Sequence, residues 1–148
     1  MSALLRPGQD ADAEPLARIL RAWIDETPWF RSPHPPASDP LFTLRKIRDG
    51  VVTVADTGMP AGFLALEDGY VSCLYVASEH RSEGLGKLLL SHAKSKRSPL
   101  SLWTFQANTR ARAFYRREGF DEVRFTDGSE NEEGLPDVEM IWRGEAGT

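Results

Sequence analysis

The sequence predicts an α/β chain of the α+β type: one mixed, mostly antiparallel sheet of about seven strands flanked by about four helices. Two observations carry that expectation. Three strand-like runs follow one another across the turn signals Asp56-Thr-Gly58 and Glu67-Asp-Gly69, and connections this short close only as an antiparallel meander. The third run then passes through a polar link and a glycine pair, Gly84-Leu85-Gly86, into a helical pattern and another strand. Strand, helix, strand in that order means a parallel pair with a right-handed crossover.

The elements follow in order. Leu4-Leu5 opens a short first strand. Asp10 or Asp12 is placed to cap a helix in which Pro15 occupies the tolerated first turn. Leu16, Ile19, Leu20, Trp23 and Ile24 then fall on one apolar stripe. From Thr27 to Pro36 four prolines exclude both a helix interior and a central strand. Ser38 or Asp39, with Pro40, reopens a helix through about Arg48, with Leu41, Leu44 and Ile47 on one face.

The meander strands are Val51–Ala55, Ala61–Leu66 and Tyr70–Ala77. A helix over Leu85–Lys96 turns Leu85, Leu88, Leu89, His92 and Ala93 inward, Pro99 stops it, and Leu100–Phe105 is a strand. Asn108 caps a further helix that Gly119 ends. Strands at about Phe120–Thr126 and Val138–Arg143 bracket an acidic loop, 127–137. No repeat or second domain interrupts residues 1–148, which read as a single domain.

Composition narrows the class. Hydrophobic content of 41% and charged content of 27% are those of an ordinary soluble protein. No segment approaches the length of a membrane span, and Met1–Pro7 has no apolar stretch of signal-peptide length. One cysteine, Cys73, excludes an internal disulfide and reads as a buried strand residue, so the cytoplasm is the expected compartment. His34, His80 and His92 are too scattered to suggest a metal site.

The net charge of −4 conceals a basic middle: residues 81–118 hold nine Lys/Arg against two Asp/Glu. That segment is either a solvated helix face or the seat of a polyanion. A pI of about 5.4, with no broad basic surface elsewhere, disfavours nucleic acid.

The glycine pair lies within the basic segment. A strand that feeds through glycines into a helix N-terminus presents free N–H groups and the positive end of a helix dipole, so a phosphate-bearing cofactor is expected there. Two phosphate motifs fail. Lys87 is followed by Leu88, with no earlier glycine in P-loop register, and Leu89 stands where a dinucleotide fingerprint needs its third glycine. What remains is Arg81-Ser-Glu-Gly-Leu-Gly86, an R-x-x-G-x-G pattern. After a helix and a strand comes Asn108-Thr-Arg-Ala-Arg-Ala-Phe-Tyr-Arg-Arg-Glu-Gly-Phe120.

The two motifs in this order resemble the GNAT superfamily of N-acetyltransferases, specifically from about Val71 to Phe120 and more loosely over the whole chain. The resemblance implies acetyl-CoA as cosubstrate and direct transfer of its acetyl group to a primary amine. It implies that the backbone of Leu74, Tyr75 and Val76 bonds the pantetheine arm between two splayed strands. Arg81, Ser82, Glu83, Gly84, Leu85, Gly86 and Lys87 would wrap the pyrophosphate, with Glu83 an awkward carboxylate unless it points away. Asn108 would bond the cofactor arm or anchor the loop, a role compatible with helix capping. Tyr115 would protonate the departing thiolate, although its spacing with Ala111, Phe114 and Glu118 equally describes a core aromatic.

A base is also expected, and here the chain departs from the better-known members. Tyr70 and Trp103 stand where some of them carry a glutamate, leaving Glu67, Asp68 and Glu139 as weak candidates for a water relay. The acidic loop is a candidate for selecting a cationic amine, or is simply solvated. The proline-rich segment with Trp29, Phe30 and His34 is the other candidate wall. The acceptor stays open between a small molecule, a peptide N-terminus and a lysine. No membrane or nucleic-acid partner is expected, and a homodimer is the assembly that relatives suggest. A non-catalytic acyl-CoA-binding or sensing domain is the alternative, since a missing base is what such a domain would show. A nucleotide-binding module is a poorer fit, because no Mg²⁺-ligating residue stands in a recognisable place.

Overall fold

Two hydrophobic clusters, one on each face of a single sheet, organise the chain. The computed structural model describes residues 3–144. Seven strands, β1 (Leu4–Pro7), β2 (Val52–Asp56), β3 (Pro60–Glu67), β4 (Tyr70–Val76), β5 (Leu100–Phe105), β6 (Asp121–Thr126) and β7 (Asp137–Trp142), lie in the order β1-β2-β3-β4-β5-β7-β6. All neighbours are antiparallel except β4 and β5. Four helices, α1 (Ala13–Asp25), α2 (Asp39–Arg48), α3 (Leu85–Lys96) and α4 (Thr109–Arg117), complete the predicted class. No helix of the described residues is long and apolar enough to cross a membrane.

Strand alternation sorts the side chains. Leu64, Leu100, Leu102, Val138 and Met140 pack with Leu89, Leu90 and Ala93 of α3, while Phe114 and Tyr115 of α4 lie against the edge of that cluster. On the other face Val54, Phe63, Ala65 and Cys73 meet Leu16 and Ile19 of α1 and Ile47 of α2. That second cluster takes its strand residues from β2 to β4 and the link after β4, so α1 and α2 leave β5 to β7 uncovered on their side.

Three local expectations are corrected. Asp12 does precede α1, but its carboxylate caps no helical N–H. It takes two bonds from Arg6, at 2.8 and 3.0 Å, and one from the Gln9 amide, closing a 3₁₀ turn. A forked guanidinium satisfies a buried carboxylate better than a single amide does. Leu41 is 58% exposed, and the buried face of α2 is Asp39, Thr43 and Ile47. Polar bonds set that face: Arg21 grips Asp39 at 2.7 and 2.9 Å, and the Thr43 hydroxyl donates to the Ala13 carbonyl at 2.6 Å. Leu88 is 39% exposed while Leu90 is fully buried. From Leu85 the packed positions run i+4, i+5 and i+8, and His92 is half-buried.

Candidate active site

The parallel pair builds the site by failing to pair. β4 and β5 share one register position, Tyr70 opposite Ser101, and the Ser101 amide bonds back to Gly69 at 2.8 Å. Beyond it the strands part. Leu74, Tyr75 and Val76 pair with β3 on one side, and their β5-facing backbone groups have no ladder partner. An extended ligand with amide groups fits such an edge.

At the end of β4 the chain turns into α3. Ser82 and Gly84 both take positive φ, at 71° and 81°, and bend the backbone so that α3 begins at Leu85. No side chain caps the first turn of α3, which leaves its amides free for an anion. Neither glycine is demanded by protein neighbours. A Cβ on Gly84 would meet nothing within 4 Å, and one on Gly86 would make ordinary contact with Phe114 at 3.5 Å. Gly84 answers to its backbone conformation and faces open space, whereas a side chain at Gly86 would rest against Phe114 and Val76.

The charged members of the motif divide. Glu83 is exposed and engages the His80 Nδ1 at 3.0 Å. Arg81 is held by Glu26 at 2.9 Å. Lys87, exposed on the first turn of α3, has no carboxylate within ion-pair distance among the described residues. Much of the remaining positive charge is committed to structure: Arg112 and Arg116 to Glu122, Arg97 to Asp68, and Lys94 to the Glu118 carbonyl at 2.5 Å.

Tyr115 of α4 packs its ring against Phe114 and Phe120 at the edge of the α3-side cluster. Burial, with Cys73 as a second influence, pushes its phenol well above the ordinary tyrosine range. It is therefore a protonated donor at neutral pH. Tyr75 comes from the other face, packed on Trp23 and Phe63. Burial raises its phenol too, and Cys73, Tyr115, Glu133 and Tyr70 add to the shift in that order. Asn108 sits at the start of α4, where its Oδ1 accepts the Ala111 amide at 3.1 Å.

The uncovered half of the second face holds an open cavity of about 750 Å³. Tyr70 and Ser72 of β4 form one side of it, Trp103 and Phe105 of β5 its floor, and the 127–137 loop its far wall. Sequence reasoning missed Ser72. A bulge in β4 leaves it without a β3 partner, because Cys73 pairs with Ala65 and Val71 with Leu66. Bulges re-aim side chains next to sites, and no residue pattern announced this one. The Ser72 hydroxyl is buried and has no partner at ordinary hydrogen-bond geometry, although it lies near enough to Glu67 to help Lys46 lower that carboxyl.

The two candidate walls meet. Trp29 and Phe30 stack on Phe105 at 5.9 and 5.4 Å between ring centres, and His34 Nε2 lies 3.2 Å from Glu132 Oε2. The relay carboxylates are each engaged elsewhere: Glu67 with Lys46 at 2.6 Å, Asp68 with Arg97 at 3.3 Å, and Glu139 with Arg124 at 3.4 Å. The Lys46 ammonium holds the Glu67 carboxyl below its usual range, which makes it a weaker base.

Comparison with known proteins adds to this geometry. Residues 48–122 match the sequence profile of the acetyltransferase (GNAT) domain. The chain is 26% identical to the peptidyl-lysine N-acetyltransferase YiaC of Escherichia coli, across 90% of this chain and 94% of that one. It is 33% identical to the peptidyl-lysine N-acetyltransferase YjaB of Salmonella typhimurium over 69 residues, 47% of this chain and about half (48%) of that relative. The solution structure of apo YjaB from Escherichia coli superposes with a TM-score of 0.80 at 22% identity, covering 98% of this chain and all of that one. The structure of yncA from Salmonella typhimurium with its cofactor acetyl-CoA superposes at 0.75 and 16% identity, covering 100% of this chain and 97% of that one.

Proposed function

Because the chain belongs to the GNAT acetyltransferase family, we propose that it transfers the acetyl group of acetyl-CoA to the side-chain amine of a lysine in a protein or peptide. The observation that carries this reading is the gap between β4 and β5. A glycine-led, uncapped helix N-terminus stands at one end of it, and an acid-lined cavity opens on one face. Residues 1–148 act as a single catalytic domain, and the lone, buried Cys73 suits the cytoplasm.

Acetyl-CoA, when bound, supplies an activated acetyl thioester. Leu74, Tyr75 and Val76 offer it their unpaired backbone groups, and residues 82–87 hold its pyrophosphate on the amides of the α3 N-terminus, with Lys87 adding positive charge. Arg81 adds to that grip by leaving Glu26, while Asn108 fixes the start of α4 beside the cofactor arm. Tyr115, kept protonated by its burial, gives its proton to the departing sulfur. Much of the acceleration comes from holding amine and thioester together across the gap.

A lysine acceptor is supported by the cavity's carboxylates, Asp127, Glu130, Glu133 and Asp137, which attract a cation, and by the named activity of the relatives. The test is thiol release from acetyl-CoA with three amine sets: lysine-containing peptides blocked at the N-terminus, lysine-free peptides with a free N-terminus, and polyamines. Turnover concentrated on the first set, with the acetyl group found on Nζ by mass spectrometry, is expected. Turnover confined to either of the other sets contradicts the lysine assignment.

A further inference from the structure

We propose that Glu133 is the catalytic base of this transfer, the carboxylate that receives the acceptor's ammonium group and takes its proton. The inference rests on the acetyltransferase reading above and names a residue that neither motif contains.

Every other carboxylate near the cavity is either committed to a partner or, like Glu130, exposed. Glu67 and Glu139 are ion-paired, and Glu132 lies against His34. Asp137 takes the Thr126 hydroxyl on one oxygen and the Asn131 amide on the other. Asp127 accepts the Ser129 amide at 3.0 Å. Glu130 is unpaired but exposed. Glu133 lines the cavity, is half-buried, and has no hydrogen bond or ion pair among the described residues. A carboxylate drawn partly out of water without a cation is unfavourable until one arrives, and an alkylammonium is the cation this reaction brings.

The loop backbone on either side of Glu133 is held in place. On its N-terminal side Glu132 is tied to His34 across the cleft. On its C-terminal side the Asn131 Oδ1 accepts the amides of Gly134 and Leu135, at 2.7 and 3.3 Å, while its Nδ2 donates to the Leu135 carbonyl at 2.8 Å. Gly128, with φ of 83°, seats the loop so tightly on Leu135 that a Cβ would lie 2.3 Å from backbone. Glu133 shares the cavity with Tyr70 and Ser72 of β4, the strand whose far end borders the gap, and its charge is one of the smaller influences that raise the Tyr75 phenol. The buried Ser72 hydroxyl lines the same cavity and adds a polar group to it.

The step balances simply. The ammonium gives one proton to Glu133, and the freed lone pair attacks the thioester carbonyl carbon. The carbon–sulfur bond breaks, the thiolate takes the Tyr115 proton, and the new amide nitrogen sheds its extra proton to solvent. Glu133 then releases its proton to solvent and Tyr115 regains one, which restores both groups. One amide, one thiol and one net proton result.

The experiment compares wild type with Glu133→Gln on an N-terminally blocked lysine peptide from pH 6 to 9, with the acetyl-CoA Kd and the thermal midpoint measured alongside. The groups sharing the cavity are Tyr70, Arg124, Asp127, Glu130 and Asp137, with Tyr75, Tyr115, His34 and Glu132 beside it; all are retained in the variant. The expected result is an unchanged Kd and a kcat about 10²-fold lower at pH 7. The deficit should narrow as pH climbs toward the lysine pKa near ~10.4, where solvent supplies the free amine. A variant within twofold of wild type at every pH overturns the proposal. So does a pH-independent loss confined to the peptide KM, which makes Glu133 a recognition group only. Wild type that binds acetyl-CoA and releases no thiol with any amine contradicts the acetyltransferase reading itself, and the base assignment with it.

Discussion

The two faces of the β4–β5 gap are built on different principles. The face proposed for the cofactor is backbone. Its parts are the unpaired edge of Leu74–Val76, the positive φ at Ser82 and Gly84, and the uncapped amides of α3, all within fourteen consecutive residues. The face proposed for the acceptor is side chain. Ser72, Trp103, Phe105 and Glu133 come from two strands and a loop, and His34 reaches across from the α1–α2 segment to clasp Glu132. A surface made of backbone needs glycines at fixed spacing and so writes a contiguous motif. A surface made of side chains needs only proximity, and its residues are free to change with the acceptor.

Substitutions that act on one face and spare the other sharpen this comparison. Tyr115→Phe, at the junction of both, carries the largest expected effect, a kcat about 10²-fold lower with acetyl-CoA and peptide binding intact. Equal turnover would make Tyr115 a core aromatic and nothing more. Gly84→Val comes next. A β-branched residue at φ of 81° is disfavoured by roughly 1–2 kcal/mol. The turn relaxes, and the acetyl-CoA Kd rises about tenfold with the peptide KM unmoved. A parallel rise in both constants would show the two faces to be coupled.

Glu132→Lys acts in the opposite sense. It breaks the contact with His34 and places a cation on the cavity rim, so the peptide KM rises about threefold while the acetyl-CoA Kd holds. Asp12→Asn is the change that touches neither face. It removes the charge and turns one of the two oxygens that accept from Arg6 into a donor, and costs about 2 kcal/mol of stability. Arg6 holds the Asp12 carboxyl below its usual range. The stability it contributes is therefore complete above the ordinary aspartate value and is lost as pH falls through the folded one. Chemical denaturation of wild type and variant at pH 7 and pH 3 should show the gap closing in acid, with both substrate constants unchanged at pH 7.

Legibility in the sequence followed the same division. The glycine motif, the cap at Asn108 and the meander turns are local, and the observed α3 and β5 match their expected bounds. Which leucines face inward was less legible. A run of three, Leu88-Leu89-Leu90, satisfies several helical stripes, and only the neighbouring sheet selects Leu89 and Leu90. Thr43 displaced Leu41 from the buried face of α2 because a hydrogen bond to Ala13, invisible to periodicity, joins the two helices. The acidic loop was legible as charge but not as geometry. Nothing in its composition separates Glu133 from Glu132, whereas in the fold one meets His34 and the other lines the cavity.

The central claim is that cofactor and acceptor meet across one gap. Binding of a bisubstrate compound, CoA joined through its sulfur and an acetyl bridge to the lysine Nζ of a peptide, tests it most directly. If the account holds, the compound binds at least ~10²-fold more tightly than acetyl-CoA, because linking converts the second contact into an intramolecular one. Gly84→Val should weaken it through the CoA half and Glu132→Lys through the peptide half. Affinity no greater than that of acetyl-CoA, and insensitive to Glu132→Lys, would place the acceptor elsewhere and contradict the account.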